Sequence, residues 1–495
     1  MARGLLRRGL HRGRARGRRR RRRPRQGPRP RRPRAGPGPD RPRRGRRRRG
    51  RTRGRRSRAA HRRRPRRRHD QPVGVARQAH RRRHRVPGRL LAPRSGRDLG
   101  LAARPPARTA LPGRPLRRPS TGHIGRLRRL ARRGRPRRRP RPRHGGPAVV
   151  SARVAGIGTA LPPQYEQQRL WDDVFRNHFG GSRIAGRMFD TAGVERRHSS
   201  TPPYELAVAA EWSTEERMRR YAERAPALGL RAVRQALAAA GTAPDEIGLL
   251  AVATCTGYGT PGTDIDLAEA LPLRADARRL LVGHMGCHAA IPALGAVADY
   301  VAGHRRPAVL LCVELTSLHV QPGTRDIDQA VVHALFSDAA AAVVLRPDAE
   351  RPRLRVVDVA ARTDTARRGH MTWRVTDLGF RMGLSPEVPD ALAEHVGPLV
   401  KDLLARHGLD RSEVAAWAVH PGGPRVLDAV AEGLDLGPTA LDPSRRVLAD
   451  HGNCSSATVL LVLDEILRTG PPDGPIVMLA FGPGLTLYAA LLDGP

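Results

Sequence analysis

The chain has 495 residues and a net charge of +50, and that charge is concentrated in the first 150 residues. This segment holds 59 arginines against three aspartates, with no lysine, glutamate or aromatic residue. The remaining 345 residues hold 35 basic and 41 acidic side chains, so they are mildly acidic and ordinary in composition. The four cysteines form no CxxC pair, which excludes zinc ribbons, zinc fingers and a disulfide scaffold and suggests a reducing compartment.

The charge and hydropathy patterns also bear on localisation. No apolar run reaches the roughly 18 residues of a membrane span, and the arginine-rich start lacks the apolar core of a secretory signal. We therefore expect a cytoplasmic protein that does not enter a membrane.

Residues 1–148 are predicted to be disordered, because they have too little apolar surface to offset the entropy of the chain. Three origins are open for this segment. It can be GC-rich DNA translated upstream of a true start at Val149 or Val150, a solvated tail, or a nucleic-acid-binding arm. Arginine without lysine favours the first origin. The segment has no aromatic residues for base stacking and no folded nucleic-acid-binding motif, which argues against the third.

From Val150 onward, apolar strands alternate with amphipathic helices, which is typical of an α/β protein. An internal repeat runs through this part at an offset of 167 residues, pairing the helix and strand of 232–252 with the block that ends at Val419. The same offset pairs Cys287 with Cys454 and the strand 308–313 with 475–480. We predict two copies of one α/β unit, 149–350 and 351–495, related by a pseudo-twofold axis.

Each copy contains a helix that is apolar nearly all round, His288–Ala302 in the first and Ser455–Leu467 in the second. Such helices are typical of a central buried layer. Gly286 and Gly452 allow a sharp turn just before each helix.

Three side chains in these regions suggest nucleophilic catalysis. Cys287 is predicted at the first turn of its helix, where free N–H groups and the helix dipole favour a thiolate. His420 follows an apolar strand and precedes a rigid Pro-Gly-Gly-Pro turn, and Asn453 directly precedes the repeat equivalent of Cys287. A buried small residue and an ordinary loop histidine are the alternatives for the first two. The pseudo-twofold axis predicts that all three share one site.

The sequence blocks around these residues resemble the type III polyketide synthases, the family of chalcone and stilbene synthases. The resemblance rests on GCHAA at Cys287, AVHPGGPRVL at His420, HGNCSSATVL at Asn453, ALFSDAAAAVV at Phe336 and FGPGL at 481–485, and covers about 150–492. It implies a thiolase-type αβαβα five-layer fold, a homodimer, and iterative decarboxylative condensation of malonyl-CoA onto an acyl-CoA starter, followed by cyclisation.

The resemblance also implies roles for the three residues. Cys287 would be the acylated nucleophile, and His420 would act as its ion-pair partner and donate to the thioester carbonyl. Asn453 would be a second donor to that oxygen, stabilising the enolate that forms on decarboxylation. No metal or organic cofactor is implied, because the thioester supplies the activation.

Further residues follow from the resemblance alone. Two phenylalanines would gate the tunnel from the CoA site, and six residues would line the acyl pocket: Phe336 and Phe380, then Cys255, Thr256, Thr260, Thr316, His319 and Ser455. Thr260 and His319 differ from the plant chalcone synthases, so chalcone formation is not supported. Core packing is the alternative for each phenylalanine.

A basic residue of the family that contacts the CoA phosphates matches Arg187. Two family lysines nearby are replaced by Ile184 and Thr191, and Arg183 or Arg425 would compensate. A cationic rim is expected because CoA carries several phosphate charges.

Other interpretations have weaker support. Residues 257–262 satisfy GxGxxG, which would suggest a dinucleotide site, but Pro261 interrupts the turn where a helix should open, and no acidic residue ends a convincing second strand about 20 residues further on. An initiating ketoacyl synthase that uses acyl carrier protein shares the fold and the three residues, although HPGGP argues against it. A non-catalytic paralogue is disfavoured because all three positions are filled. The starter, the number of extensions and the product stay open, with pyrones, phloroglucinol-type rings and a malonyl-primed naphthalene all compatible.

Overall fold

The computed structural model describes residues 151–323, 327–347, 354–470 and 472–494. The predictions for residues 1–148 fall outside these residues. The strands are β1 (Arg153–Ala160), β2 (Gln164–Glu166), β3 (Arg196–His198), β4 (Leu249–Thr254), β5 (Arg278–Gly283), β6 (Ala308–Glu314), β7 (Ala339–Arg346), β8 (Arg355–Thr363), β9 (Met371–Thr376), β10 (Gly379–Leu384), β11 (Ala416–Val419), β12 (Ile476–Gly482) and β13 (Thr486–Asp493).

The α-helices are interspersed with a π-helical turn at Trp171–Phe175 and with short 3-10 turns. They are α1 (Gln167–Leu170), α2 (Arg176–His178), α3 (Arg183–Asp190), α4 (Pro203–Ala209), α5 (Thr214–Ala240), α6 (Thr263–Ala270), α7 (Ala290–His304), α8 (Ile327–Leu335), α9 (Val388–Arg406), α10 (Pro424–Gly433), α11 (Asp442–His451) and α12 (Thr458–Thr469).

Nine of the strands are connected by hydrogen bonds in the order β11-β12-β13-β8-β1-β7-β6-β4-β5. The two copies of the repeat supply the two ends of this order. Within each copy the pairing pattern is the same: β4 is parallel to β6 as β11 is to β12, and the next two pairs are antiparallel in both. The copies join between β1 and β8, where the register holds one pair, Arg153 and Arg355.

The predicted repeat is confirmed at the level of single turns. A 3-10 turn spans Pro244–Glu246 in the first copy and Arg411–Glu413, 167 residues later, in the second. In each turn the glutamate side chain accepts the N–H three residues before it at 2.8 Å, as Glu246 does from Ala243 and Glu413 from Asp410. The same local capping chemistry therefore starts β4 and β11.

The side chains of the strands alternate between layers, as a period of two requires. Leu249, Ala251 and Ala253 of β4 pack with α7 and α12, whereas Leu250 and Val252 pack against α5 on the other face. Strand β12 does the same, with alternate residues facing the central helices and the outer helices α9 and α10. The order of layers is thus helix, sheet, central helices, sheet, helix, which confirms the predicted αβαβα fold.

The central helices are buried as predicted, but they begin later than expected. Helix α7 starts at Ala290, and α12 starts at Thr458 after a 3-10 turn over Ser455–Ala457. Among the described residues, no helix is both long and apolar enough to cross a membrane.

Candidate active site

Cys287 lies in a tight turn at the end of the segment that follows β5, three residues before α7 begins. The turn depends on Gly286, which has a φ of +92° and packs so closely on Pro483 that an added Cβ would lie 2.4 Å from the Pro483 Cδ. The Ala289 N–H donates to the Gly286 carbonyl at 3.0 Å, which closes the turn. Cys287 is therefore held just before the N-terminus of a buried helix, and not within its first turn as predicted.

His420 directly follows β11, as the sequence indicated. Its N–H donates to the Leu479 carbonyl of the neighbouring strand at 2.8 Å, and the Gly422 N–H donates to the His420 carbonyl at 3.0 Å. Gly423 has a φ of +151°, and α10 begins at Pro424. The imidazole is 2% exposed, and its Nδ1 atom has no hydrogen-bond partner among the described residues.

Asn453 lies in the equivalent turn of the second copy, which Gly452 opens with a φ of +69°. Its Oδ1 atom accepts the Ser455 N–H at 2.9 Å. Its backbone forms an isolated bridge to Phe336, because the Asn453 N–H donates to the Leu335 carbonyl at 2.8 Å and the Asn453 carbonyl accepts the Ser337 N–H at 2.9 Å. The two copies are therefore tied together at this point.

The three residues line one cavity of about 390 Å³, which we call the outer cavity. Phe336 and Arg425 also line it, and most of the remaining wall is apolar. The structure thus brings Cys287, His420 and Asn453 to one space, as the repeat predicted.

Burial controls the protonation of this site. It raises the pKa of the Cys287 thiol to about 12, although a hydrogen bond from Ser455 acts in the opposite direction. It also lowers the pKa of His420 to about 3. Burial of both side chains thus acts against the predicted thiolate and its ion pair with His420, whereas the nearby helix terminus favours them, and both stay predictions.

Two smaller cavities adjoin the outer cavity. The inner chamber, of about 20 Å³, is lined by Cys287 itself and by four of the predicted pocket residues, Cys255, Thr256, Thr316 and Ser455. The rear chamber, of about 40 Å³, is lined by Thr316, His319, Phe380 and several apolar side chains.

The predicted gating and pocket residues are thus divided among these spaces. Phe336 lines all three cavities, whereas Phe380 lines only the rear chamber. His319 packs face to face with Phe380 at a ring distance of 4.6 Å. Its Nδ1 atom accepts the Phe380 N–H at 3.0 Å, and its Nε2 atom lies 2.7 Å from the Thr256 carbonyl, so Nε2 carries the proton. Thr260 is exposed and lines none of the three cavities.

Glu314, a fully buried carboxylate at the end of β6, was not predicted from the sequence. It accepts the Cys255 N–H at 2.9 Å and the Thr256 hydroxyl at 2.8 Å, and the Ser455 hydroxyl lies 3.4 Å from its other oxygen. Burial raises its pKa. An acidic residue at the end of an otherwise apolar strand was the signal that could have identified it.

Of the predicted CoA-binding arginines, Arg425 lines the outer cavity, whereas Arg183 and Arg187 are exposed on α3 and do not line it. Met188 of α3 and Thr191, the residue that follows α3, line the wall of the outer cavity.

The GxGxxG segment leads into α6, which starts at Thr263 directly after Gly262. The helix therefore opens only after Pro261 and the end of the segment. The second strand, β5, still ends without an acidic residue, so a dinucleotide site lacks its ribose ligand. No group of three or more potential metal ligands occurs within the described part of the chain.

Two family models match the chain. The model for "Chalcone and stilbene synthases, N-terminal domain" matches residues 139–349, and the model for the C-terminal domain of the same enzymes matches residues 360–494. Together they cover most of the residues that the structure describes.

Individual proteins are also similar. The chain is 37% identical to a 1,3,6,8-tetrahydroxynaphthalene synthase of Streptomyces peucetius subsp. caesius, over 68% of this chain and 92% of the relative. It is 29% identical to the "Alpha-pyrone synthesis polyketide synthase-like Pks18" of Mycobacterium tuberculosis, over 70% of this chain and 92% of the relative. The crystal structure of PKS-I from the brown alga Ectocarpus siliculosus superposes with a TM-score of 0.67 at 26% identity, covering 70% of this chain and all of that one.

Proposed function

This chain belongs to the chalcone and stilbene synthase family, the type III polyketide synthases, and we propose that Cys287, His420 and Asn453 carry out its condensation of malonyl-CoA onto an acyl-CoA starter. The observation that supports these roles most strongly is that the three side chains line one cavity although they come from three separate segments of the chain. The cavity supplies a nucleophile, a base and an amide donor.

In the proposed loading step, the Cys287 sulfur attacks the thioester carbonyl of the starter while its proton passes to the His420 imidazole. The carbon–sulfur bond to CoA breaks, and the CoA thiolate takes up the proton. The starter is then held as a thioester on Cys287.

The extension step needs charge stabilisation. When bound malonyl-CoA loses CO₂, negative charge develops on its thioester oxygen, and hydrogen bonds from His420 and Asn453 stabilise that enolate. The enolate carbon attacks the acyl thioester of Cys287, and the sulfur leaves as the growing chain moves to CoA. The atoms that react in this step belong to malonyl-CoA and to the acyl thioester on Cys287. We therefore propose that the enzyme needs no metal or organic cofactor.

For the product, we propose a fused-ring naphthol built only from malonyl units. An inner chamber of about 20 Å³ beside Cys287 favours a small starter. The relative named a tetrahydroxynaphthalene synthase is 37% identical, compared with 29% for the α-pyrone-type relative. An α-pyrone is the second candidate.

The test is mass spectrometry of products made by the full chain from carbon-13-labelled malonyl-CoA, with and without a panel of other acyl-CoA starters. We expect a fully labelled aromatic product from malonyl-CoA alone. The Cys287→Ala variant should give none, whereas Cys454→Ala, the repeat-equivalent control, should give the wild-type product. A labelled pyrone would favour the second candidate. Turnover only with malonyl groups on acyl carrier protein would contradict the proposal and support a ketoacyl synthase.

We also propose a homodimer formed around β5. This strand is the last one of the described sheet, and its Leu280 and Leu281 side chains are 37% and 54% exposed. Tyr258 and Ile265, in the loop and helix that follow β4, add exposed apolar surface. An uncovered strand edge with apolar side chains favours pairing with another chain. Sedimentation should show a dimer for the wild type and a monomer for Leu281→Lys; a monomeric wild type would contradict this proposal.

A further inference from the structure

A pair of hydrogen-bonded histidines lies just before the turn that carries Asn453. His451 is the last residue of α11, two positions before Asn453, and His198 is the last residue of β3. The His198 Nε2 atom lies 3.0 Å from the His451 Nδ1 atom, and the His198 Nδ1 atom lies 2.9 Å from the Pro162 carbonyl oxygen. His198 is buried and His451 is half-buried. The proposed mechanism uses neither ring.

The contacts of this pair indicate where its protons lie. Because a carbonyl oxygen only accepts hydrogen bonds, the Pro162 contact requires a proton on the Nδ1 atom of His198. The Nε2 atom of a neutral His198 is then an acceptor, so the proton of the 3.0 Å contact is donated by the Nδ1 atom of His451. Burial lowers the pKa of His198 and lowers the pKa of His451 to about 4, which favours the neutral form of both rings.

The pair also connects to the backbone that holds Asn453. The His198 N–H donates to the Ser337 hydroxyl at 2.8 Å, and this hydroxyl donates to the His198 carbonyl at 3.1 Å. The Ser337 N–H donates in turn to the Asn453 carbonyl at 2.9 Å. From Asn453 the chain runs back through Gly452 to His451, which closes a ring of contacts. The Asn453 turn is therefore held by Ser337 on one side and by His198 on the other.

The equivalent turn of the first copy is supported differently. His284 lies 167 residues before His451, but it is exposed, and its ring meets Phe380 edge-on at 5.7 Å. That turn carries Cys287 and not an amide side chain. The hydrogen-bonded histidine pair thus accompanies the turn with the proposed amide donor.

We propose that His451 is a positioning residue for the condensation: the hydrogen bond that its Nδ1 atom donates to His198 holds the Asn453 turn so that the amide can donate to the enolate. His451 lines none of the three cavities around Cys287, so it acts through Asn453 and not on the substrate. This inference rests on the proposed role of Asn453.

The first test compares His451→Ala with His451→Asn in the full chain. An asparagine amide can supply an N–H close to the position of the histidine Nδ1 atom, whereas alanine leaves the His198 acceptor without its donor. His407→Ala is the matched control, because it removes another histidine hydrogen bond, of 2.7 Å to Asp358, at a residue that lines none of the three cavities. The measurements are acylation of Cys287 by the starter, followed by intact mass, and CO₂ release from malonyl-CoA. Thermal melting checks that each variant is folded.

For His451→Ala we expect CO₂ release to fall by about tenfold to a hundredfold, because a displaced donor loses part of the stabilisation that it gives the enolate. Acylation of Cys287 should change much less. His451→Asn and His407→Ala should stay close to the wild type in both rates. Unchanged CO₂ release in His451→Ala, equal losses in both rates, or no recovery with asparagine would overturn the proposal.

A third variant, His451→Asp, tests the assigned protons. It places a carboxyl group opposite the Nε2 atom of His198, so a hydrogen bond forms only when one of these two groups takes up a further proton. CO₂ release by this variant should therefore be high at low pH and fall as the pH rises, whereas His451→Asn should keep its activity at the higher pH. The same pH profile in both variants would contradict the assigned donor.

The other charged groups around the pair are the same in all of these variants. They are Asp338 beside His198, and Arg196, Asp450, Asp464, Glu465 and Arg468 around His451. A difference between His451→Asp and His451→Asn in pH dependence therefore comes from the introduced carboxyl group and its contact with His198.

A second readout does not depend on catalysis. The Asn453 N–H donates to the Leu335 carbonyl at 2.8 Å, so its hydrogen–deuterium exchange reports whether the turn stays closed. Peptide mass spectrometry should show faster exchange in His451→Ala, but not in His451→Asn or His407→Ala. Unchanged exchange in His451→Ala would overturn the positioning role. A wild type that protects this N–H but condenses nothing would count against the proposed function, while the exchange rates would still decide whether His451 holds the turn.

Discussion

The turns that carry Cys287 and Cys454 occupy equivalent positions in the two copies of the repeat, yet they use different residues to face the substrate space. In the first copy the cysteine lines the outer cavity. In the second, Cys454 is fully buried, with its sulfur 3.5 Å from the His451 carbonyl, and the preceding Asn453 lines the cavity instead. With a shift of one residue, the same scaffold holds the proposed nucleophile in the first copy and the proposed amide donor in the second.

The difference shows how one site can form between two similar halves. Both turns need a glycine with positive φ, Gly286 and Gly452, and both lead into a central helix. Only the second turn bridges to Phe336 through its backbone. The duplicated part of the structure is therefore the support, whereas the chemistry depends on what each turn contacts.

The largest expected effect comes from removing the amide donor of the second turn. Asn453→Ala should lower kcat for condensation by roughly 10²–10³, or about 2.7–4 kcal/mol of barrier, because one donor to the enolate is lost. Acylation of Cys287 by the starter should change much less. The measurement is kcat for CO₂ release and product formation beside the acylation rate by intact mass. Equal losses in both steps would show that Asn453 supports the fold of the site and does not act on the enolate.

The next prediction concerns the reactivity of the two thiols. Because the pKa of Cys287 is raised to about 12, its thiolate fraction, and hence its rate of alkylation by iodoacetamide, should rise about tenfold per pH unit between pH 7 and 10. Cys454, fully buried and also with a raised pKa, should stay unlabelled over the same time. Peptide mass spectrometry separates the two sites. A fast rate that does not change from pH 6 to 9 would indicate a resting thiolate paired with His420.

The smallest effect is expected at Cys454 itself. Cys454→Ala should lower the free energy of unfolding by about 1 kcal/mol, which is typical of a small loss of packing in a core, and should leave condensation unchanged. Chemical denaturation with an activity assay tests both parts. A strong loss of activity with unchanged stability would mean that the second cysteine has a role in the reaction.

Much of the fold could be predicted from the sequence, because the features that define the repeat each arise within a short stretch of the chain. The glutamates that cap equivalent 3-10 turns, the positive-φ glycines and the apolar central helices each leave a pattern in a short stretch of sequence. Bringing Cys287, His420 and Asn453 together followed from the repeat and from motif resemblance. The start of α7 was misplaced, since a tight turn and a helix have the same apolar pattern there.

The protonation state and the shape of the pocket could not be predicted in the same way. Whether Cys287 is a thiolate depends on the balance between a helix terminus and desolvation, and desolvation depends on every residue that covers the thiol. Met382 and Trp373 line the chambers because the β9–β10 hairpin packs over them, a contact between parts of the chain that are distant in sequence. Single residues on such a hairpin carry no signal of their own.

The backbone bridge between Phe336 and Asn453 has a consequence for the fidelity of the enzyme. The two neighbours of Phe336, the predicted gate, hydrogen-bond to the backbone of Asn453, the proposed donor to the enolate: the Asn453 N–H donates to the Leu335 carbonyl at 2.8 Å, and the Ser337 N–H donates to the Asn453 carbonyl at 2.9 Å. Under the proposed roles, a bulky starter that moves the Phe336 backbone would also displace the Asn453 amide. Such a starter would load onto Cys287 and fail to be extended.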